Sequence, residues 1–191
     1  MKKILVILGH PDSQSFNAAL ARAYVRGARA SGASVRFLKL GELSFDPILH
    51  HGYREIQKLE PDLVKVQRYI KWADHLVWIY PTWWGSMPAL LKGLLDRMWL
   101  PGFAFKFTKP YFHRRLLRGK SARLIITMDS PSFIYRFIFR SPGENIMKRS
   151  VLRFSGVRPV RVTRVGWMVV STKNYRRRWL KKIERLGHRL R

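Results

Sequence analysis

The sequence predicts an α/β chain built on one doubly wound, five-stranded parallel sheet covered by helices on both faces. Three observations point there. Strand-like apolar runs alternate with amphipathic helical segments along the whole chain, the pattern of consecutive βα units. The first strand, Lys3–Leu8, is continuously apolar after its lysine, as a strand buried on both faces reads. The 191 residues, 47% hydrophobic and 13% aromatic, supply a core of ordinary domain size and exclude a disordered chain.

Each element follows in order. Gly9 ends the first strand. Residues 17–31 form a helix, with Ala21, Tyr24, Val25 and Ala28 at helical spacing and Gly32 closing it. Residues 35–40 are the second strand, and 41–58, with Gly41, Pro47 and Gly52, read as irregular. Leu59, Leu63, Val66 and Ile70 recur at intervals of 4, 3 and 4, a helix with Pro61 near its start. Residues 75–80 are the third strand, stopped by Pro81. A helix from about 88 to 99 buries Leu91, Leu94, Leu95 and Met98, and Lys92 and Asp96 can pair across one turn. Residues 103–120 are aromatic and basic without a period. Residues 121–128 are the fourth strand, 129–143 an aromatic loop and 144–154 a helix stopped by Gly156. The fifth strand lies within 157–167. The closing helix turns Trp179, Ile183, Leu186 and Leu190 inward, and Arg176, Arg177, Arg178, Lys181, Lys182 and Arg185 outward. With no repeat, linker or low-complexity tract, residues 1–191 read as one domain.

Charge and composition narrow the function. The 38 basic and 11 acidic residues give a net charge of +27. Residues 1–105 carry +6 of it and residues 106–191 carry +21, with only three acids in the second half. That asymmetry either attracts phosphate, nucleic acid or anionic lipid, or is a solvated basic face. No nucleic-acid motif is present, and the aromatics are not interleaved with the basic clusters, so a specific nucleic-acid role is not expected. The chain has no cysteine, which excludes disulfides, thiolate catalysis and iron–sulfur clusters; with no clustered His or carboxylates, no metal site is expected. The apolar stretch behind Met1, Lys2 and Lys3 is too short for a signal peptide, and no run approaches the ~20 residues of a membrane span. A cytoplasmic protein is the expectation.

A doubly wound sheet binds its ligand at the carboxyl ends of its strands, so three loops matter. The first runs Gly9, His10, Pro11, Asp12, Ser13, Gln14, Ser15, Phe16, Asn17 between a buried strand and a helix. The helix start suits a phosphate, with Ser13, Ser15, Asn17 and His10 as donors; alternatively Ser15 or Asn17 is simply an N-cap. The second runs Pro81, Thr82, Trp83, Trp84, Gly85, Ser86, Met87, Pro88. Two adjacent tryptophans behind a buried strand cannot both enter the core. One is expected to face a flat ligand and the other to pack under neighbouring helices. The third loop covers 128–136.

His10-Pro11 with Ser15-Phe16-Asn17, then the unbroken stretch from Pro81 to Arg97, then Pro101-Gly102-Phe103-Ala104-Phe105, resemble the flavodoxin-like NAD(P)H:quinone oxidoreductase family, over residues 1 to about 160. The resemblance implies a flavodoxin-like, three-layer fold of strand order 2-1-3-4-5. It also implies a bound flavin, FAD or FMN, with NAD(P)H as co-substrate, and a homodimer with its active site at the subunit interface. His10, Ser15, Phe16 and Asn17 would hold the flavin phosphate or pyrophosphate. Pro81, Thr82, Trp83, Trp84 and Gly85 would line the isoalloxazine, and Thr127, Met128, Asp129 and Ser130 would approach its pyrimidine side. Phe105 and Phe107 would wall the substrate pocket, and Tyr135 would face the ring as the catalytic residue. The sequence departs from many relatives in carrying Asp129 and Ser130 where they have two glycines. It also has no histidine between His113 and His188, which leaves Tyr135 or Arg136 to stabilise charge on the ring. Phe137 and Phe139 suit a quinone-like substrate or a dimer contact.

The implied reaction passes a hydride from NAD(P)H through the flavin to a quinone-like acceptor, in two separate half-reactions. The alternatives are an accessory flavoprotein docking by its basic face on a membrane transporter, an anionic membrane or an acidic protein, and, on fold alone, a one-electron carrier.

Overall fold

The computed structural model describes residues 1–109 and 112–190. Its elements run β1 (Lys3–Leu8), α1 (Phe16–Ala30), β2 (Ser34–Lys39), α2 (Pro61–Trp72), β3 (His75–Pro81), α3 (Ala89–Met98), β4 (Phe105–Lys109), β5 (Phe112–Arg115), β6 (Ser121–Thr127), α4 (Ser132–Phe137), α5 (Pro142–Asn145), β7 (Val160–Val165) and α6 (Lys173–His188). Five strands form one parallel sheet in the order β2-β1-β3-β6-β7. This is the expected 2-1-3-4-5 order once the hairpin strands β4 and β5 are set aside.

The continuous apolar runs have the predicted cause. In β1, Ile4, Val6 and Leu8 point to one face while Leu5 and Ile7 point to the other, because side chains alternate along a strand. The first face packs on α1 and α6, through Leu20, Tyr24, Ala28 and Ile183. The second packs on α2 and α3, through Leu63, Val66, Ile70, Leu91, Leu94 and Met98. Each helix therefore needs only one apolar stripe, and the sheet needs two apolar faces.

The two helices on the first face touch backbone to backbone. A Cβ at Gly27 of α1 would run into the carbonyl of Glu184, and one at Gly187 of α6 into the carbonyl of Tyr24. Two glycines facing each other let α1 and α6 close the layer. The surface pair of Lys92 and Asp96 forms, at 2.7 Å.

Three expectations need correction. Residues 103–120 contain an antiparallel hairpin, β4 with β5, shifted in register between Phe107 and Lys109. Its strands are exposed on most positions, so no burial pattern marks them in the sequence. The 129–143 loop contains α4, six residues behind Pro131 and too short to show a helical period. The helix expected from 144 starts at Pro142, and its continuation, Ile146–Arg153, is π-helical.

Candidate functional site

The winding of the sheet places the site. From β1 the chain crosses one way to β2 and later the other way to β3, β6 and β7, so a crevice opens beyond the carboxyl ends of β1 and β3. All three expected loops leave the sheet at that rim.

The first loop is held by its own side chains. The N–H of Asp12 donates to His10 Nδ1 at 2.9 Å, and the N–H of Gln14 donates to Asp12 Oδ1 at 2.7 Å. Ser15 Oγ donates to the Asp12 carbonyl at 2.8 Å and accepts from the Ala18 N–H at 3.2 Å. Ser15 is thus the N-cap of α1. The N–H groups of Ser13, Phe16 and Asn17 make no hydrogen bond among the described residues. They are free donors at the positive end of a fifteen-residue helix, the donor set an anion requires. Asn17 faces inward. Its amide donates to Thr127 Oγ at 3.0 Å, and the Thr127 hydroxyl donates back to Asn17 Oδ1 at 3.2 Å, which ties the first loop to the end of β6. The Phe16 ring lies 5.5 Å beneath the Arg176 guanidinium.

The second loop is a tight turn. Trp83 and Ser86 exchange N–H···O bonds, both of 2.9 Å. The two residues between them are left-handed, Trp84 at φ 50° and Gly85 at φ 77°. A bulky residue there is strained, at a cost on the order of 1–3 kcal/mol. The turn throws both indoles outward. Trp83 is 45% exposed and Trp84 fully exposed at 104%, so neither packs under a helix, contrary to the expectation for one of them. Trp83 meets the His10 ring edge-on at 5.5 Å, joining the first two loops. The N–H groups of Trp84 and Gly85 take no partner among the described residues. Pro81 is buried at the end of β3, and the Thr82 N–H donates to the Thr127 carbonyl at 2.7 Å.

The third loop completes a cavity of about 540 Å³. Thr82, Trp84 and Gly85 of the second loop line it with Met128, Asp129 and Ser130 of the third and with Tyr135, Phe139 and Pro142. The volume lies in the range of small-molecule sites, roughly 300–1,000 Å³. Tyr135, 3% exposed, donates its hydroxyl to the Gly85 carbonyl at 3.3 Å and accepts from the Glu144 N–H at 3.2 Å. Burial raises its pKa, as it does more strongly for Tyr80, whose buried hydroxyl has no partner among the described residues. Both phenols are therefore held protonated. Behind Tyr135, Glu144 is buried in a two-pronged pair with Arg164, Nε to Oε2 at 2.7 Å and Nη2 to Oε1 at 2.8 Å.

Thr82, Trp84, Gly85, Met128, Asp129, Ser130 and Tyr135 share one cavity. His10 and Asn17 are joined to it through Trp83 and Thr127. Phe105 and Phe107 do not line it. They pack with each other at 5.2 Å, and Phe105 with Phe154 at 5.0 Å, on the hairpin side. Arg136 lies 5.0 Å over the exposed Phe137 ring rather than in the cavity. Pro142, Glu144 and Arg164 were not read as site residues. The one signal was that Glu144 is among only three acids in a half carrying +21.

Known proteins place this geometry. A family model described as flavodoxin-like fold matches residues 2–187. A Haemophilus influenzae protein named an uncharacterized NAD(P)H oxidoreductase is 36% identical over 132 residues, covering 66% of this chain and 64% of that protein. A Pongo abelii ribosyldihydronicotinamide dehydrogenase [quinone] is 28% identical over 155 residues, covering 70% and 66%. The chain thus spans a little under two thirds of the length of these curated relatives. Among solved structures, Smu.1420 of Streptococcus mutans superposes with a TM-score of 0.86 at 31% identity, over 98% of this chain and 99% of that one. The strand order, the crevice at its switch point and a match over nearly every residue agree, and the chain belongs to the flavodoxin-like fold family.

Proposed function

We propose that the chain is an NAD(P)H-dependent flavoprotein oxidoreductase that reduces a quinone-like acceptor. The observation that carries this reading is the pairing of two donor sets at one rim: the free amides of Ser13, Phe16 and Asn17, and the free amides of Trp84 and Gly85 beside a 540 Å³ cavity. A phosphate tail fits the first set and the polar edge of a flat ring the second, so the residues present fit a flavin, FMN or FAD. The names of the relatives from Haemophilus influenzae and Pongo abelii support the reaction class. When bound, the flavin would supply hydride transfer between NADH or NADPH and the acceptor.

The chain's own residues bind and orient. Ser15 caps α1 and fixes the loop that would grip the phosphate. Thr127 anchors that loop through Asn17 and the tryptophan turn through its carbonyl. Tyr135 acts as a positioning residue, because its hydroxyl is spent on Gly85 and Glu144 while its ring lines the cavity. Exposed Phe133, Phe137, Ile138 and Phe139 lie on and just beyond α4, the segment that supplies the lining residues Tyr135 and Phe139, and support a homodimer in which a second copy covers them.

The test is direct. Protein purified without added cofactor and then denatured should release FMN or FAD, and the native protein should bleach with NAD(P)H and recover its colour with a quinone. A colourless protein that takes up neither added FMN nor added FAD ends the reading.

A second reading has one observation behind it. Arg176, Arg177, Arg178, Lys181, Lys182 and Arg185 are all exposed on α6, which supports peripheral docking on an anionic membrane or acidic protein. Salt-sensitive pelleting with anionic vesicles would follow; no pelleting at low salt would end it.

A further inference from the structure

At the opposite end of the sheet, where the parallel strands begin, lies a second cavity of about 370 Å³. Its lining brings together groups far apart in the chain: Lys2 ahead of β1, His75 at the start of β3, Ser121 at the start of β6, Arg161 in β7, and Arg189 just past α6. No carboxylate is among the lining residues, and none of Lys2, Arg161 and Arg189 forms a salt bridge among the described residues. The nearby carboxylate of Asp74 is engaged by the Lys3 N–H at 2.9 Å. Lys2 Nζ donates to the Leu190 carbonyl at 3.3 Å, which leaves two of its three donors free.

One residue of this lining is incompletely paired. His75 is 3% exposed, and its Nδ1 is paired with Ser121 Oγ at 2.8 Å. Its Nε2 is buried and has no hydrogen-bond partner among the described residues. A buried polar atom left without a partner loses its water without compensation, so native proteins rarely keep one without a use. With Ser121 donating to Nδ1, the neutral ring carries its N–H on Nε2, an unused donor of a residue that lines the cavity together with three cations.

We propose that this cavity is a binding site for a phosphate dianion, taken by Lys2, Arg161 and Arg189 with His75 Nε2 as the buried donor. Two guanidinium groups suit a tetrahedral oxyanion because each can donate through two parallel N–H groups, and three cations around one pocket match a dianion better than a single carboxylate. Burial, then Lys2, Arg123 and Arg161, hold the ring neutral, and an anion would relieve the repulsion among those cations. The site does not rest on the flavin reading, since it lies across the sheet from the nucleotide-type loops. The phosphate is either free or carried on a small phosphomonoester.

The experiment follows the His75 ring resonances by NMR while inorganic phosphate or methyl phosphate is added at constant ionic strength, chloride serving as control. This readout is blind to phosphate held at the α1 loop, so protein with or without flavin serves. Saturable movement of the ring signals at millimolar phosphate is expected. Arg161→Gln and Lys2→Gln should each weaken it about tenfold, the loss of one charge-assisted contact, while Arg178→Gln on the exposed face of α6 leaves it unchanged. Tighter binding of methyl phosphate would assign an ester, and tighter binding of inorganic phosphate the free ion. Ring signals that stay still, that move equally with chloride, or that respond equally in the Arg161→Gln protein overturn the proposal.

Discussion

Tyr135 donates its hydroxyl to the carbonyl of Gly85 at 3.3 Å, so a buried phenol fastens the strained tryptophan turn to α4, beside the Gly143 N–H that donates to the same carbonyl at 3.0 Å. The phenol oxygen also satisfies the Glu144 N–H. In Tyr135→Phe the ring still fills its place, but a buried N–H loses its partner. A loss of about 1–3 kcal/mol in urea unfolding is expected, together with weaker flavin retention because the Trp84 and Gly85 amides are less well held. Unchanged stability and unchanged flavin affinity would contradict the positioning role.

Glu144 and Arg164 make the second prediction. Glu144→Gln leaves a partly buried guanidinium without its counter-charge and should destabilise by about 3 kcal/mol. Adding Arg164→Met to the same chain should recover much of that loss, because no unpaired charge remains. A double variant as unstable as the single one would show that the pair's packing, not its charge balance, matters.

Close helix contact makes the third. Gly27→Ala forces a methyl into the Glu184 carbonyl, so α1 and α6 must part, at a cost of about 3 kcal/mol. Gly102 has φ +87° and nothing within 4 Å of an added Cβ, so Gly102→Ala should cost only the backbone strain, about 1–2 kcal/mol. Thermal or urea denaturation of the two variants separates steric from conformational cost, and equal losses would refute the contact argument.

His75 makes a pH prediction. Burial first, then Lys2, Arg123 and Arg161, lower its pKa from 6.5 to about 3. Below pH 6.5 the unfolded chain binds a proton that the folded chain refuses, so stability is full above 6.5 and falls as the pH drops toward about 3. The loss attributable to this ring should reach about 2 kcal/mol by pH 5. His75→Gln, which cannot titrate, should flatten the dependence of urea stability on pH over that interval. An unaltered slope would place the acid sensitivity elsewhere.

The hairpin and the tryptophan turn show where sequence reading stops. β4 and β5 expose most of their residues, so the alternation that reveals a half-buried strand is missing from their sequence. Trp83 and Trp84 marked the site by their type, but their direction depends on two consecutive left-handed residues, and a tryptophan at φ 50° has no sequence signature. Tyr135 was legible as a site residue. Its attachment to Gly85, fifty positions earlier, was not.

Local pattern alone determined the parallel sheet, its five strands, the faces of α1, α2, α3 and α6, and the three rim loops, because burial on both faces of a strand or one stripe of a helix imprints a period on neighbouring residues. Only the tertiary structure decided what the loops enclose, that Asn17 meets Thr127, that Glu144 meets Arg164, and that Lys2, His75, Arg161 and Arg189 gather at the far end of the sheet. The reason is physical. A period records how a segment meets the core, whereas these contacts join residues from segments that share no period, and packing alone brings them within reach.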